Sequence, residues 1–340
     1  MLACFLDAPH KVAVREAPIP KLAAGDILVR MKASGICGTD LEKIEGQLGP
    51  GGILGHEVSG TIEKVTDNNS NYKPGDRVVA HHHVPCYQCP DCSNGNYTLC
   101  SEFKRTNIDP CGFAEFFRVP QYNVERGAAV PLPPELSYEE GAMIEPTACC
   151  IRAIRRANIK QGDDTLVIGL GPTGLTQIQL LRHASTGRIF GSDIVEARLQ
   201  LGKKLGADET INALAEDVPS HITKVTRDGV DLAIVSTGNE KALNQAFSSV
   251  RKGGRILLFG APSQGASYQL NVSELFSRQI VLMSSYSCVE AEMDEAIRLV
   301  SEKRLDLRTL ISDRFKLRDC EKAMEFAKTS KTAIKTIIVP

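Results

Sequence analysis

The sequence has no unbroken run of the roughly 18 apolar residues that a membrane-spanning helix needs, so none of its segments is expected to cross a bilayer. It has no excess of either charge: 40 basic residues stand against 41 acidic ones, a formal net charge of −1. That balance removes the electrostatic reason to expect nucleic acid or an anionic membrane as a partner. No secretory signal is expected in "MLACFLDAPHKVAVREAPIP", because Asp7, Pro9 and His10 interrupt it where a continuous apolar core would be required. The cytoplasm is therefore the expected compartment. There is no tryptophan, no internal repeat and no low-complexity tract, which argues against a repeat architecture or a disordered scaffold. What is present is ordinary: 340 residues, 42% hydrophobic, enough for two domains that each bury a core.

The first 145 or so residues are rich in glycine, proline and short β-branched runs such as "KVAVRE", "DILVRMKAS", "VSGTIEKV" and "GDRVVAHH". Short strands separated by turn signals predict an irregular, mostly antiparallel β domain. Further on, strand-like runs alternate with helical ones: "DTLVIG", "RIFGSD", "DETIN", "VDLAIVSTG", "GGRILLFG" and "QIVLMSS" are six buried-looking strands. That alternation predicts a parallel sheet covered on both faces.

Eleven cysteines are many for a cytosolic chain, and an odd number argues against a purely disulfide framework. Four are bunched in "CYQCPDCSNGNYTLC", as C-x2-C-x2-C-x7-C. Cys86, Cys89, Cys92 and Cys100 can wrap one zinc ion tetrahedrally with no open position, which makes a structural site. Two disulfides or an iron–sulfur cluster are the alternatives, and the short, turn-rich lobe favours zinc. A nucleic-acid-binding zinc knuckle would need basic residues between the cysteines, and there are none.

A second constellation is spread along the chain. "GICGTD" places Cys37 in a glycine-flanked turn, "GILGHEVSG" sets His56 beside Glu57, and "MIEP" supplies Glu145. Burying His56 and Glu57 together in an apolar turn costs several kcal/mol unless something pairs with them. One thiolate, one imidazole and one carboxylate, Cys37, His56 and Glu145, leave a fourth position open, the arrangement of a catalytic zinc. Asp40 is suitably spaced to orient His56. The triplet His81 to His83 ends a strand, where alternation would send its members to opposite faces. It reads as structural.

"VIGLGPTG" gives Gly169-x-Gly171-x-x-Gly174 after a strand and opening a helix. Its glycines, with Pro172 and Thr173 at the helix start, suit a pyrophosphate at the helix N-terminus. Asp193, nineteen residues beyond Gly174, suits the adenosine ribose hydroxyls, and its charge opposes a 2′-phosphate. NAD is expected over NADP, with Arg198 placed over the same ribose.

In order along the chain, "GICGTD", "ILGHEVSG", "KPGDRVV", the four-cysteine lobe, "MIEP" and "GLGPTG" resemble the zinc-containing medium-chain dehydrogenases/reductases, in the polyol (sorbitol) and threonine dehydrogenase branch. The resemblance covers essentially the whole chain. It implies an α/β protein: a GroES-like, mainly-β catalytic domain over 1–146 carrying the zinc lobe 86–100, a Rossmann doubly wound domain over 147–286, and a segment 287–340 returning to the first domain. It implies two zincs per chain, with Cys37, His56 and Glu145 as catalytic ligands and Glu57 able to swing in. Thr39 falls where the family keeps the hydroxyl that takes the alcohol proton. Glu42 stands where many members have a relaying histidine, and the loop between Cys37 and His56 is short. The implied activity is hydride transfer between a secondary alcohol, polyol or sugar-like, and NAD in a dimer or tetramer. A threonine or primary-alcohol dehydrogenase is the alternative within the class, and an NAD- or zinc-binding sensor the alternative outside it.

Overall fold

The protein is seen here as a computed structural model that describes residues 1–47, 54–66 and 71–340. Of the loop expected to be short between Cys37 and His56, residues 48–53 lie outside the described residues. The chain divides into two compact units, one comprising Met1–Ala148 with Ser287–Pro340 and the other Cys149–Tyr286.

The first unit is built on a seven-stranded sheet. Its path runs Ile311–Lys316, Lys335–Val339, Ile27–Gly35, Glu57–Val65, Arg77–Ala80 and Ala129–Pro131, and Phe116–Val119 also pairs with Ile27–Gly35. All pairs are antiparallel except Ile311–Lys316 with Lys335–Val339. The strand Ile27–Gly35 is buried along most of its length because it has partners on both sides and the helix Tyr138–Ala142 packs against it. That helix is fixed by a capping box, with Glu140 N–H donating to Ser137 Oγ and Ser137 N–H to Glu140 Oε2. Val29, Met31, Val58, Phe113 and Phe117 are buried to 0% and form the middle of the core, each contributing about 1.5–3 kcal/mol of burial free energy.

The second unit is the doubly wound domain. Its six strands lie in the order Glu209–Asn212, Ile189–Asp193, Thr165–Ile168, Val230–Val235, Val250–Leu258, Val281–Ser284, all parallel. The order reverses beside Thr165–Ile168, and in such sheets ligands bind at the carboxyl ends of the strands flanking that reversal. Of the six read from the sequence as buried, Thr165–Ile168, Ile189–Asp193 and Val230–Val235 are largely so, and Val250–Leu258 is partly so. The two edge strands are not: Glu209–Asn212 buries only Ile211, and Val281–Ser284 leaves Val281 48% and Leu282 38% exposed. Its apolar composition is the same as that of an internal strand, so composition alone does not distinguish the two.

Candidate active site

Cys37 caps the helix Gly38–Ile44, and Asp40 in the first turn organises its surroundings. One carboxylate oxygen of Asp40 accepts from the Cys37 N–H at 3.0 Å and the other from the Gly55 N–H at 3.0 Å. Asp40 thus ties the cysteine turn to the residue before His56. Gly55 has φ +69°, and a Cβ there would lie 2.7 Å from the Phe113 ring, so only glycine fits this turn. His56 Nδ1 lies 3.6 Å from Asp40 Oδ1, on the side the sequence suggested. Burial opposes a charge on His56, but Asp40 and Cys37 outweigh it and raise its pKa well above the usual value.

The sulfur of Cys37, a ring nitrogen of His56 and a carboxylate oxygen of Glu57 lie within 4.8 Å of one another. Glu57 opens its strand and receives a hydrogen bond from the buried ammonium of Lys335, which also donates to Ile36 O at 3.0 Å. Burial raises the Glu57 pKa, opposed by Lys335 and His56. Glu145, at the start of the helix Ile144–Arg156, is also buried; its carboxylate lies within 4.8 Å of His81 and Cys288 and also acts on Glu57 as a like charge, adding to the rise in the Glu57 pKa. Thr39 is half-buried on the helix that Cys37 caps. Glu42 follows one turn later; its Oε2 is buried with no hydrogen-bond partner among the described residues, and burial raises its pKa.

The strand expected to end in the triplet His81 to His83 stops at Ala80; His81 and His83 both pack on Phe103, and the His82 ring lies 4.9 Å from that of His56 and 4.0 Å from that of His83. His83 Nδ1 bonds to the Thr106 carbonyl at 2.6 Å, and burial depresses its pKa to about 4.

In the cysteine lobe, Cys92 Sγ lies 3.5 Å from Cys89 Sγ and 4.0 Å from Cys86 Sγ. A disulfide needs about 2.05 Å, and none of the eleven cysteines, all described, forms one. Tetrahedral zinc with Zn–S bonds of about 2.3 Å sets its sulfurs about 3.8 Å apart. The N–H groups of Gln88 and Cys89 point at Cys86 Sγ at 3.4 and 3.3 Å and lower its pKa to about 6. The lobe therefore fits a zinc ion held by four thiolates.

In the second unit the three glycines of the turn have distinct reasons to be glycine. Gly169 has φ +93°. A Cβ on Gly174 would stand 2.0 Å from the Gly169 carbonyl oxygen, so its absence lets helix Pro172–His183 pack close to the turn. A Cβ on Gly171 would meet nothing within 4 Å: that position is open, with room for a ligand to approach its backbone. Pro172 and Thr173 begin the helix. Asp193 ends the neighbouring strand, accepting from Leu170 N–H at 2.6 Å, Ile194 N–H at 2.7 Å and Val195 N–H at 2.9 Å. A carboxylate offers about four acceptor positions, so one remains. Arg198 follows on the helix Glu196–Lys204. These residues fit a dinucleotide.

The sequence reading did not pick out Lys335, Glu290 or Cys288. Lys335 had a signal: it is the one charge in the apolar run "AIKTIIV". Glu290 and Cys288 had none, because only the fold carries them to His81.

Known proteins agree with this architecture. Residues 23–132 match the alcohol dehydrogenase GroES-like domain and residues 172–302 the zinc-binding dehydrogenase domain. Over 350 residues the chain is 31% identical to sorbitol dehydrogenase of Bacillus subtilis, covering 100% of this chain and 97% of that protein. Among solved structures, a zinc-binding dehydrogenase of Sinorhizobium meliloti bound to NADP superimposes with a TM-score of 0.91 at 26% identity, covering 100% of this chain and 99% of that one. The alcohol dehydrogenase of Thermus sp. ATN1 does so with 0.88 at 29%, with the same coverage. With its glycine turn, its cysteine lobe and its sulfur–imidazole–carboxylate cluster, this chain belongs to the zinc-containing medium-chain dehydrogenase/reductase family.

Proposed function

We propose that the protein oxidises secondary alcohols of the polyol or sugar class, and reduces the corresponding ketones, with NAD as hydride partner. The observation that carries this reading is the convergence of Cys37, His56 and Glu57 within 4.8 Å, in a family whose curated relative above is a sorbitol dehydrogenase. A zinc ion bound by Cys37 and His56 with Glu57 or Glu145 would act as a Lewis acid on the alcohol oxygen, and NAD would take up the hydride.

The chain's own residues manage the proton. Thr39 accepts it from the alcohol hydroxyl through its side-chain oxygen and passes it to Glu42, three residues on and on the same helix face. A carboxyl whose pKa is raised by burial is better matched to proton transfer near neutral pH than an exposed one. Lys335 holds Glu57 by a charge-assisted hydrogen bond, so Glu57 is available at the site without being left as an unpaired buried charge. In the second unit, the open backbone at Gly171 receives the pyrophosphate, and the remaining acceptor of Asp193 takes a ribose hydroxyl. The Asp193 charge supports NAD over NADP.

Two zincs per chain follow from the four-cysteine lobe and the Cys37 cluster. Eleven cysteines with no disulfide among them suit a reducing, cytoplasmic setting. The apolar edge strand Val281–Ser284, with Phe276 83% exposed on the helix Val272–Ser277, supports a dimer or tetramer formed through that edge.

A panel of polyols, sugars, threonine and primary alcohols, assayed with NAD and with NADP by reduced-nicotinamide absorbance, tests the reading. Turnover is expected with secondary polyols and NAD. Turnover confined to threonine or primary alcohols would overturn the substrate class, and cofactor binding without turnover of any alcohol would overturn the enzyme.

A further inference from the structure

We propose that Tyr87, Glu290 and His81 form a strut that positions Glu145 beside the catalytic metal, so that the four-cysteine lobe helps to set the geometry of the Cys37 cluster. This deepens the function proposed above and rests on it, because it takes Cys37, His56 and Glu57 with Glu145 as the place where zinc acts.

The strut starts inside the lobe. Tyr87 stands between Cys86 and Cys89 with φ +61°, a left-handed backbone that bulky residues rarely adopt and that costs about 1–3 kcal/mol. In that conformation its hydroxyl donates to Glu290 Oε2. The other oxygen, Glu290 Oε1, pairs with His81 Nδ1 at 3.2 Å. Glu290 is itself held in place as the first residue of the helix Glu290–Ser301. The cap of that helix, Val289, donates its N–H to Glu292 Oε2 at 2.9 Å and packs with Cys92, Cys100 and Phe103. Tyr87 and Val289 thus fix Glu290 to the lobe from two sides.

From His81 the contacts lead to the catalytic cluster. With Nδ1 committed to Glu290, the ring is turned so that Nε2 lies 3.7 Å from Cys288 Sγ. A carboxylate oxygen of Glu145 lies within 4.8 Å of a His81 ring nitrogen and of that sulfur, and Cys288 Sγ donates to the Glu145 carbonyl at 3.8 Å. Glu145 in turn acts on Glu57 as a like charge. Two buried carboxylates repel each other, so Glu145 needs neighbours that keep it in reach of the cluster. His81 and Cys288 take that place. Both are 0% exposed, and in a close-packed interior neither can shift without displacing what it touches.

The test uses full-length protein carrying zinc in the lobe and cobalt at the Cys37 site, titrated with a chelator while the visible cobalt band is followed. Glu290→Ala should shift the band and lower the chelator concentration that removes half the cobalt by about 10- to 100-fold, the usual effect of losing a group that orients metal-binding side chains. Tyr87→Phe should act in the same direction. Glu290→Gln, which keeps the length and polarity of the side chain, should recover much of the loss. In a Glu145→Gln background, Glu290→Ala should have little further effect. With a polyol as substrate, kcat should fall in Glu290→Ala while the KM for NAD stays unchanged. A lower melting temperature with the band and chelator midpoint unchanged would overturn the proposal, since the contacts would then serve the fold alone. An equal shift in the Glu145→Gln background would overturn the route through Glu145. If Glu290→Ala does not fold, Tyr87→Phe decides, because it removes one hydroxyl from a residue that is 42% exposed. No alcohol enters the metal titration, so its outcome is separate from that of the polyol panel; a Cys37 site that takes up no cobalt would overturn both.

Discussion

Lys335, the first residue of the strand Lys335–Val339, donates from a fully buried ammonium to the carboxylate of Glu57, which itself abuts Cys37 and His56. Burial works against the charge on Lys335, but Glu57 and then Cys37 more than restore it and raise its pKa. Removing one partner of a buried ion pair leaves the other uncompensated, which costs about 3–5 kcal/mol. Lys335→Met should therefore lower the urea midpoint of the first unit sharply and weaken turnover. Lys335→Met with Glu57→Gln should recover much of the stability. If the single variant is as stable as wild type, the pair does not hold Glu57 in place.

If Thr39 and Glu42 form one relay, Thr39→Val and Glu42→Gln should each lower kcat by about 10- to 100-fold, and the double variant should fall little further. The pH profile gives an independent check. Glu42 must be ionised to accept a proton, and burial raises its pKa, so activity should decline with acidity below that raised value. Glu42→Gln should remove this acid limb while leaving zinc content unchanged. Additive losses, or an unaltered acid limb, would place proton exit elsewhere.

His221 provides a test of electrostatics away from any metal. Its two ring nitrogens lie 3.0 Å from Glu209 and 3.0 Å from Glu216, and Glu209 first, then Glu216, raise its pKa. A histidine whose folded pKa exceeds its unfolded value of about 6.5 gives its full stabilisation below that value and loses it as pH rises through the folded pKa. The group is partly solvated, so the effect is at most about 1 kcal/mol. Wild type should exceed His221→Gln in thermal midpoint at about pH 5.5, and the gap should close by about pH 9. A gap that does not change with pH would mean the contribution is packing rather than charge.

The motifs whose chemistry depends on close spacing were legible in the sequence. The glycine turn, the cysteine lobe and the Cys37–His56–Glu57 neighbourhood all emerge from local runs, and so does the alternation of the second unit's strands. Features set by register across distant strands were not. Ile337 pairs with Gly35, and this brings Lys335 to Glu57 across 278 residues. The return of the chain at Ser287 brings Cys288 to His81 across 207. The exposure of Val281–Ser284 was equally hidden, since it follows from the strand's place at the sheet edge rather than from its residues.

The glycines of the dinucleotide turn separate binding from folding. Gly174→Ala would force a Cβ to within 2.0 Å of the Gly169 carbonyl oxygen, so the helix must move away from the turn, and both thermal stability and NAD affinity should fall. Gly171→Ala meets nothing within 4 Å and has no positive φ to violate, so its thermal midpoint should stay close to wild type. The added methyl would instead occupy space where a pyrophosphate approaches the backbone, and the KM for NAD should rise by about tenfold or more, the equivalent of about 1.4 kcal/mol. Calorimetric titration of NAD, with the melting curve of each variant, distinguishes the two cases. Wild-type affinity in Gly171→Ala would mean that the phosphates do not approach this backbone.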